Sequence, residues 1–153
     1  MRWLELRVPP PVAAGLCAAL MWLAAEMLPM TDFALPAKAA LVAVLTAAGL
    51  GFGLIAVFQF RRAGTTVHPM KPQESSALVV RGVYRVTRNP MYLGVLLILT
   101  AWAAWLANGA ALLLLPCFVI YLNRFQIAPE EHALEARFGA AFADYRRAVR
   151  RWL

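Results

Sequence analysis

The sequence predicts an all-α fold: a polytopic membrane helical bundle of about four transmembrane helices, followed by a C-terminal amphipathic cytoplasmic helix. Of its 153 residues, 62% are hydrophobic and 15% are charged, whereas soluble domains contain about 45–50% apolar and about 25% charged residues. The apolar residues form long uncharged runs, as in helices that cross a bilayer. Composition therefore argues against a water-soluble globule and against a disordered chain, which needs low hydrophobicity. We expect one integral membrane domain over residues 1–153.

The four predicted spans each contain roughly 20 mostly apolar residues, the length that a helix needs to cross the hydrocarbon. They are residues 12–28, 39–60, 90–107 and 110–127. No small-residue cleavage site follows the first span, so we interpret it as a retained helix rather than a signal peptide. Asn108-Gly109 separates the last two spans and predicts a tight helical hairpin.

Lysine and arginine are concentrated in two segments, and this distribution predicts the orientation of the bundle. Residues 61–89 carry six basic residues against one acid, Glu74, and the C-terminal segment carries five arginines. The connections at the opposite end contain only Asp32 and Lys38. By the positive-inside rule both termini face the cytoplasm, and we expect a bacterial inner (cytoplasmic) membrane protein with membrane lipids as partners. Topology explains the positive charge, so we predict no nucleic-acid partner.

From residue 129 to residue 152 the pattern changes to that of an amphipathic helix. Its apolar stripe recurs at steps of three and four residues and comprises Leu134, Phe138, Ala141, Phe142, Tyr145, Val149 and Trp152. The arginines off this stripe are interpreted as contacts to anionic lipid headgroups; they are Arg146, Arg147, Arg150 and Arg151. Glu131 projects into the stripe, where an unpaired charge is costly, so we expect it to have a cationic partner.

Polar residues at the start of the third span predict an anion-binding corner. Asn89 can cap the helix and Pro90 can occupy its first turn. Arg88, together with the free N–H groups of that turn, favours a bound anion. Tyr84 and Tyr92 either line this site or are ordinary aromatic residues of the membrane interface.

Arg124 and His68 are further candidates, each with a structural alternative. Arg124 either snorkels to the interface or pairs with Glu131, about two turns further along the helix. His68, in the central loop, is either a general base or, as we prefer, a solvated loop residue. It lies far from His132 and at ligand spacing from no cysteine, so we predict no metal site.

Two other patterns are interpreted as structural. The run Gly49-Leu50-Gly51-Phe52-Gly53 lies inside an uncharged span, where Gly49 and Gly53 indicate close helix packing rather than a nucleotide-binding loop. Cys17 and Cys117 lie within apolar runs, where a thiol behaves as a small hydrophobic group. We therefore expect no disulfide.

Residues 65–153 carry a series of motifs that together are specific. The run Arg-Asn-Pro-Met-Tyr-Leu-Gly at 88–94 follows Gly82, Tyr84 and Arg85. Further along are Asn123-Arg124-Phe125, Glu130-Glu131, Leu134, Phe138-Gly139, Phe142, Tyr145, Val149 and Arg151. In this order they resemble the membrane methyltransferases related to isoprenylcysteine carboxyl methyltransferase and the phospholipid methyltransferases.

This resemblance implies that S-adenosylmethionine binds at the cytoplasmic end of the bundle, under the C-terminal helix. The candidate cofactor-binding residues are Arg88, Asn89, Pro90, Tyr92, Gly94, Glu130 and Glu131, to which we add Tyr84 and His68. Many relatives have histidine at the position of Asn89. Arg124, which would orient an anionic nucleophile, and Glu131 are the catalytic candidates. The methyl acceptor would be a lipophilic carboxylate, thiol or amine that enters from the bilayer, and the transfer needs no metal.

Two other functions remain open from the residues alone. An NADPH-dependent membrane reductase of the same architecture would use the basic residues at 146–151 to bind the 2′-phosphate. A non-catalytic membrane subunit would bind neither cofactor. Parallel binding of S-adenosylmethionine and NADPH distinguishes all three functions.

Overall fold

The computed structural model describes residues 5–64 and 77–153, and it confirms the all-α fold. The helices are α1 (Pro10–Met27), α2 (Lys38–Arg62), α3 (Pro90–Leu106), α4 (Gly109–Leu112), α5 (Leu114–Leu122), α6 (Ala128–Phe138) and α7 (Ala140–Ala148). A π turn, Asn123–Ile127, joins α5 to α6, and 3₁₀ turns form at Pro29–Thr31 and Gly82–Arg85. Across the described residues the extended pairing consists of one isolated bridge, between Asp32 and Asn108.

Three helical runs in the described part of the chain are long and apolar enough to cross a membrane. They are α1 with 18 residues, α2 with 25 and the run Gly109–Phe138 with 30. The helix at the remaining predicted span, α3, is also apolar but has 17 residues, at the lower end of the roughly 17–25 that cross a bilayer. Large apolar side chains cover the outside of the bundle: Leu54 is 69% exposed and Ile120 is 66% exposed. Such a surface suits hydrocarbon rather than water.

Helices α2 and α3 pack closely through glycine. A Cβ atom added to Gly49 would lie 2.7 Å from the carbonyl oxygen of Gly94, and one added to Gly94 would lie 2.6 Å from that of Gly49 and 3.1 Å from the nitrogen of Gly53. Glycine at these positions allows the two helix backbones to approach this closely, because a side chain would collide with the opposite backbone. The packing role predicted for Gly49 is therefore confirmed, with α3 as the partner, whereas a Cβ atom at Gly53 would contact no described residue of a neighbouring helix within 4 Å.

Two prolines explain the irregular course of the fourth helical run. Pro116 has no N–H to donate to the carbonyl of Leu112, and α4 and α5 are interrupted at Leu113. Pro129 likewise cannot donate to the carbonyl of Phe125, and the π turn lies directly before it. The freed carbonyl of Phe125 accepts a 3.0 Å hydrogen bond from the N–H of Leu6. The N-terminal segment is thereby fixed to this turn.

The prediction of one amphipathic helix over residues 129–152 is wrong in its bounds. Its first part, α6, continues the fourth helical run through the π turn and ends at Gly139, whose φ is +52°. That conformation favours glycine and starts a new direction for α7. Helix α7 ends at Ala148, and Val149 is extended at φ −128° and ψ 135°. Val149 and Trp152 therefore lie beyond the helix.

The apolar stripe of α6 and α7 is buried against protein. Phe142 is 2% exposed and Tyr145 is 9% exposed, and both belong to a core cluster with Ala56 of α2 and Tyr84. Ala141, which the periodicity placed on the stripe, is exposed. A second and larger cluster, built around Met21, Leu99 and Leu122, holds α1, α3 and α5 together. The two clusters fix the C-terminal helices across the start of α3.

Polar contacts are concentrated at the two ends of the bundle. We call the first the turn end (residues 28–38 and 105–111) and the second the arginine end (residues 5–9, 77–92 and 121–153). At the arginine end Glu5 meets Arg124, and Arg151 meets Glu131. Both described ends of the chain therefore lie at the end that carries the 88–94 motif.

Candidate functional site

The centre of the arginine end is an ionic cluster of Arg88, Glu131 and Arg151. Glu131 Oε1 lies 2.7 Å from Nη2 and 3.3 Å from Nε of Arg88, and Glu131 Oε2 lies 2.5 Å from Nη2 of Arg151. The side chains of Arg88 and Glu131 are each 10% exposed. Charge-assisted contacts of this kind are strong where water is excluded. The prediction that Glu131 needs a cationic partner is confirmed.

Arg124 is not that partner, so the predicted pairing of Arg124 with Glu131 is wrong. Arg124 Nη1 binds Glu5 Oε1 at 2.8 Å, its side chain is 54% exposed, and its guanidinium lies 5.5 Å from the centre of the Phe125 ring. Seven residues of α-helix would place positions 124 and 131 on one face. The π turn between them has more residues per turn and rotates Arg124 away.

Arg88 uses most of its donors within the protein. Besides the two donors on Glu131, its Nη1 binds the carbonyl oxygens of Val149 at 2.5 Å and Arg146 at 3.0 Å. A guanidinium carries five N–H groups, so in these contacts one, on Nη2, is left for a ligand. In the predicted anion-binding corner, the donors left for an anion are therefore this N–H group of Arg88 and the N–H groups of the first turn of α3.

Asn89 occupies the N-cap position of α3, but its side chain does not cap the helix. Its Nδ2 donates to the carbonyl of Arg151 at 2.9 Å, and its own N–H donates to Thr87 Oγ1 at 3.1 Å. The predicted capping role is therefore wrong: the amide group binds the carbonyl of Arg151 through Nδ2, and its oxygen accepts no hydrogen bond from the helix terminus. Pro90 does lie in the first turn, as predicted.

Glu130 differs from its neighbour in having no cationic partner within the described residues. Its Oε2 accepts a 3.1 Å hydrogen bond from the hydroxyl of Tyr92. The acids that form ion pairs at this end are instead Glu5, Glu131, Glu135 and Asp144. An acid that is partly buried and bound only to a phenol can accept a hydrogen bond from a cationic ligand.

Tyr84 and Tyr145 form the apolar wall beside this acid. The hydroxyl of Tyr145 donates to the carbonyl of Tyr84 at 2.7 Å, and the Tyr84 ring lies 5.3 Å from that of Phe60. Burial, and then the charge of Glu130, raises the pKa of Tyr84 well above its usual range. Burial likewise raises the pKa of Tyr145, against the opposing charge of Arg88. Both phenols stay neutral at physiological pH.

A depression of about 480 Å³ adjoins this wall. It is lined by Val80, Arg85, Ala141, Asp144, Tyr145, Ala148 and Val149. Tyr145 and Val149 also hold Tyr84 and Arg88. The depression thus lies on the outer side of the residues that contact the ionic cluster.

The other predicted site residues are placed as follows. Gly94 faces α2 in the glycine contact, and His68 lies outside the described residues. Of the basic residues proposed for a 2′-phosphate, Arg146 pairs with Glu135, Arg147 with Asp144 and Arg151 with Glu131.

Sequence reasoning missed two residues of the site, Thr87 and Arg151. The Thr87 hydroxyl donates to the carbonyl of Arg151 at 3.0 Å. Arg151 belonged to the recognised C-terminal pattern, but it was assigned to the lipid surface together with its basic neighbours. The signal was Glu131 itself: an acid on an apolar stripe requires a cation, so one of the nearby arginines had to point toward it and not toward the lipid.

Comparison with known proteins gives one informative family. The family model for phospholipid methyltransferase matches residues 37–141, more than half of the chain. A protein of Haemophilus influenzae, described only as uncharacterized, is 51% identical over 63 residues, which are 41% of this chain and the whole length of that protein. No solved structure matches the chain. The matched family segment includes the 88–94 motif and both glutamates but stops before Tyr145 and Arg151.

Proposed function

This chain belongs to the phospholipid methyltransferase family, and from that premise we propose that it is an S-adenosylmethionine-dependent membrane methyltransferase acting on a lipophilic acceptor. Its cofactor would bind at the arginine end. Family membership favours methyl transfer over NADPH-dependent reduction. The pairing of Arg146, Arg147 and Arg151 with acids also leaves fewer free cations for a 2′-phosphate.

The observation that carries the proposal is the contrast between the two adjacent glutamates. Glu131 is neutralised by two arginines, whereas among residues 5–64 and 77–153 the partner of Glu130 is the hydroxyl of Tyr92 alone. S-adenosylmethionine carries an ammonium group, ribose hydroxyls and a sulfonium, all of which suit a carboxylate or the face of an aromatic ring. Glu130 therefore fits the cationic part of this cofactor without rearrangement of the ionic cluster.

The remaining residues fit the other groups of the cofactor. The free N–H groups of the first turn of α3 and the one spare donor of Arg88 suit the cofactor carboxylate. Tyr84 and Tyr92 are buried neutral aromatic residues, and Tyr92 contacts the acid through its hydroxyl. When bound, the cofactor supplies an activated methyl group for an in-line displacement. The protein's part is to align the acceptor and exclude water, because displacement needs little acid–base help.

The acceptor in this proposal enters from the bilayer and presents a carboxylate, thiol or amine. Arg124, half exposed beside the π turn, would orient the acceptor if its nucleophile is anionic. We further propose that the arginine end faces the cytoplasm of a bacterial inner membrane, since lysine and arginine are retained on that side.

Calorimetry on detergent-purified protein tests the proposal. We expect S-adenosylmethionine to bind in the micromolar range and NADPH not to bind. Glu130→Gln should weaken cofactor binding by about tenfold or more, because the negative charge that strengthens the hydrogen bond to the cofactor is removed. Glu135→Gln is the matched control, since Glu135 forms an exposed pair with Arg146.

Three results would count against the proposal in different ways. Folded wild-type protein that binds neither ligand would favour a non-catalytic subunit. Binding of NADPH alone would turn the site into a reductase site. Equal cofactor affinity in Glu130→Gln and wild type would leave the methyltransferase standing but move its cofactor away from Glu130.

A further inference from the structure

The C-terminal segment, residues 149–152, follows α7 and lies against residues 87–89. Three successive carbonyl groups of this segment accept hydrogen bonds from that stretch. Val149 accepts from Arg88 Nη1 at 2.5 Å, and Arg150 accepts from the N–H of Arg88 at 2.9 Å. Arg151 accepts from Thr87 Oγ1 at 3.0 Å and Asn89 Nδ2 at 2.9 Å. The segment is thus fixed to the residues that lead into α3.

The side chains of the same segment reach the fourth helical run. Arg151 binds Glu131 through Nη2 at 2.5 Å and through Nε at 3.2 Å. Trp152 Nε1 donates to Asn123 Oδ1 in the π turn at 3.1 Å. One short segment therefore connects the start of α3 with both the π turn and α6.

Arg151 supplies part of the positive charge that neutralises Glu131. Glu131 Oε1 accepts from Nη2 and Nε of Arg88 and from Nε of Arg151, and Oε2 accepts from Nη2 of Arg151. Without Arg151, Arg88 would be the one cation left on Glu131 among the described residues. The two adjacent acids would then compete for Arg88, since a carboxylate without a partner is costly in a water-poor site.

We infer that Arg151 is a positioning residue for the cofactor site: it saturates Glu131 and so keeps Glu130 free for a cationic ligand group. The inference rests on the proposed function and deepens it. Arg151 itself lies beyond residues 37–141, which the family model matches.

The neighbouring Arg150 provides a matched control. The Arg150 side chain is exposed and has no acidic partner within the described residues. Its carbonyl accepts a hydrogen bond from the N–H of Arg88, and the carbonyl of Arg151 likewise accepts from Thr87 and Asn89. Arg150→Gln and Arg151→Gln remove the same charge from adjacent positions and leave the backbone in place. They differ only in the contact with Glu131.

The test measures S-adenosylmethionine affinity by calorimetry in detergent. Arg151→Gln should weaken binding by about tenfold or more, since Glu131 would lose a charge-assisted contact and Glu130 would be less available to the ligand. Arg150→Gln should stay within about twofold. Arg151→Lys should be intermediate, because it keeps the charge but loses the planar fork. Unchanged affinity in Arg151→Gln, or equal losses in the Arg150 and Arg151 variants, would overturn the inference.

A double variant separates positioning from general destabilisation. If Arg151 acts by keeping Glu130 free, Glu130→Gln with Arg151→Gln should bind no more weakly than Glu130→Gln alone. A simple sum of the two losses would mean that Arg151 acts only through stability, which contradicts the inference.

Hydrogen exchange distinguishes failure of this inference from failure of the proposed function. The Arg88 amide, bonded to the carbonyl of Arg150, should exchange about tenfold faster in Arg151→Gln than in Arg150→Gln, because its protection follows local opening. If wild type does not bind S-adenosylmethionine, the proposed function fails, and this difference would still support Arg151 as the residue that fixes Glu131 and Arg88. Equal exchange in the two variants would overturn that role whatever the ligand.

Discussion

The turn end and the arginine end are both closed by buried polar side chains, but the buried amide of the turn end is fully bonded, whereas the arginine end has an acid with hydrogen-bonding capacity to spare. At the turn end Asn108 is fully buried, and its Nδ2 donates to the carbonyl of Leu28 at 3.0 Å and to Asp32 Oδ1 at 2.7 Å. Its Oδ1 accepts from the N–H of Ala111 at 3.0 Å and so caps α4. Both donors of this amide join the two connections of the turn end.

At the arginine end three distant segments meet: residues 87–89, Glu130-Glu131 and 149–152. Within the part of the chain that the structure describes, Glu130 has no cationic partner and is bound by the hydroxyl of Tyr92 alone. The contrast teaches that burial of polar groups is not by itself a sign of function. A fully satisfied group holds the fold together, whereas a carboxylate with one neutral partner is available to a ligand.

The largest effect that would sharpen this contrast is expected from Glu131→Gln. Removal of the charge leaves Arg88 and Arg151 without their acid, and loss of one partner of a buried ion pair costs about 3–5 kcal/mol. Unfolding by urea in detergent should show that loss of stability, and S-adenosylmethionine affinity should fall with it.

Glu135→Gln is the control for that measurement. Its pair with Arg146 is exposed, 39% at the glutamate and 45% at the arginine, and exposed pairs contribute at most about 1 kcal/mol. Similar stability losses in the two variants would show that the cluster around Glu131 contributes no more to the free energy of unfolding than an exposed ion pair does.

Asn108→Ala should have an intermediate effect on stability and none on the cofactor. It removes three side-chain hydrogen bonds. Of the partner residues, Leu28 and Asp32 are exposed and Ala111 is buried, and one unsatisfied buried partner costs about 1–3 kcal/mol. The free energy of unfolding should fall while S-adenosylmethionine affinity, measured at a temperature where the variant is folded, stays the same. A parallel loss of affinity would break the distinction between the two ends.

Arg124→Gln should have the smallest effect on stability, at most about 1 kcal/mol, because its pair with Glu5 is exposed. If Arg124 orients an anionic acceptor, transfer of labelled methyl groups should slow while cofactor affinity is unchanged. Glu5→Gln serves as the control, since it breaks the same ion pair and leaves the arginine in place. Equal transfer rates in both variants would remove Arg124 from the catalytic set.

Much of this fold is readable from local sequence because hydrophobicity and chain breaks act locally. The start of α3 at Pro90 and the Asn108-Gly109 hairpin were predicted. Helix α2, Lys38–Arg62, differs from the predicted span of 39–60 by one residue at its start and two at its end. The packing role of Gly49 was also predicted, because a glycine within an uncharged span has few other uses. These features depend on residues within about one or two helical turns of each other.

The bounds of the C-terminal helices were not readable in the same way. The periodicity of Phe138, Phe142 and Tyr145 continues across Gly139, although its φ of +52° divides the helix in two. A repeat in the sequence records which residues are buried, and two helices packed on one core can share a repeat. The extended course of Val149 depends instead on hydrogen bonds to Arg88 and its neighbours.

In the candidate site, too, some features were predictable from local sequence and others were not. The sequence by itself determined that Glu131, an acid on an apolar stripe, needs a cation, because desolvation of a charge depends on its own surroundings. Only the tertiary structure decided that the cations are Arg88 and Arg151 rather than Arg124, and that Glu130 is the acid left free. Arg88 and Arg151 lie 43 and 20 residues from Glu131. Contacts over such separations are set by helix packing and by the rotation that the π turn introduces, neither of which a local pattern records.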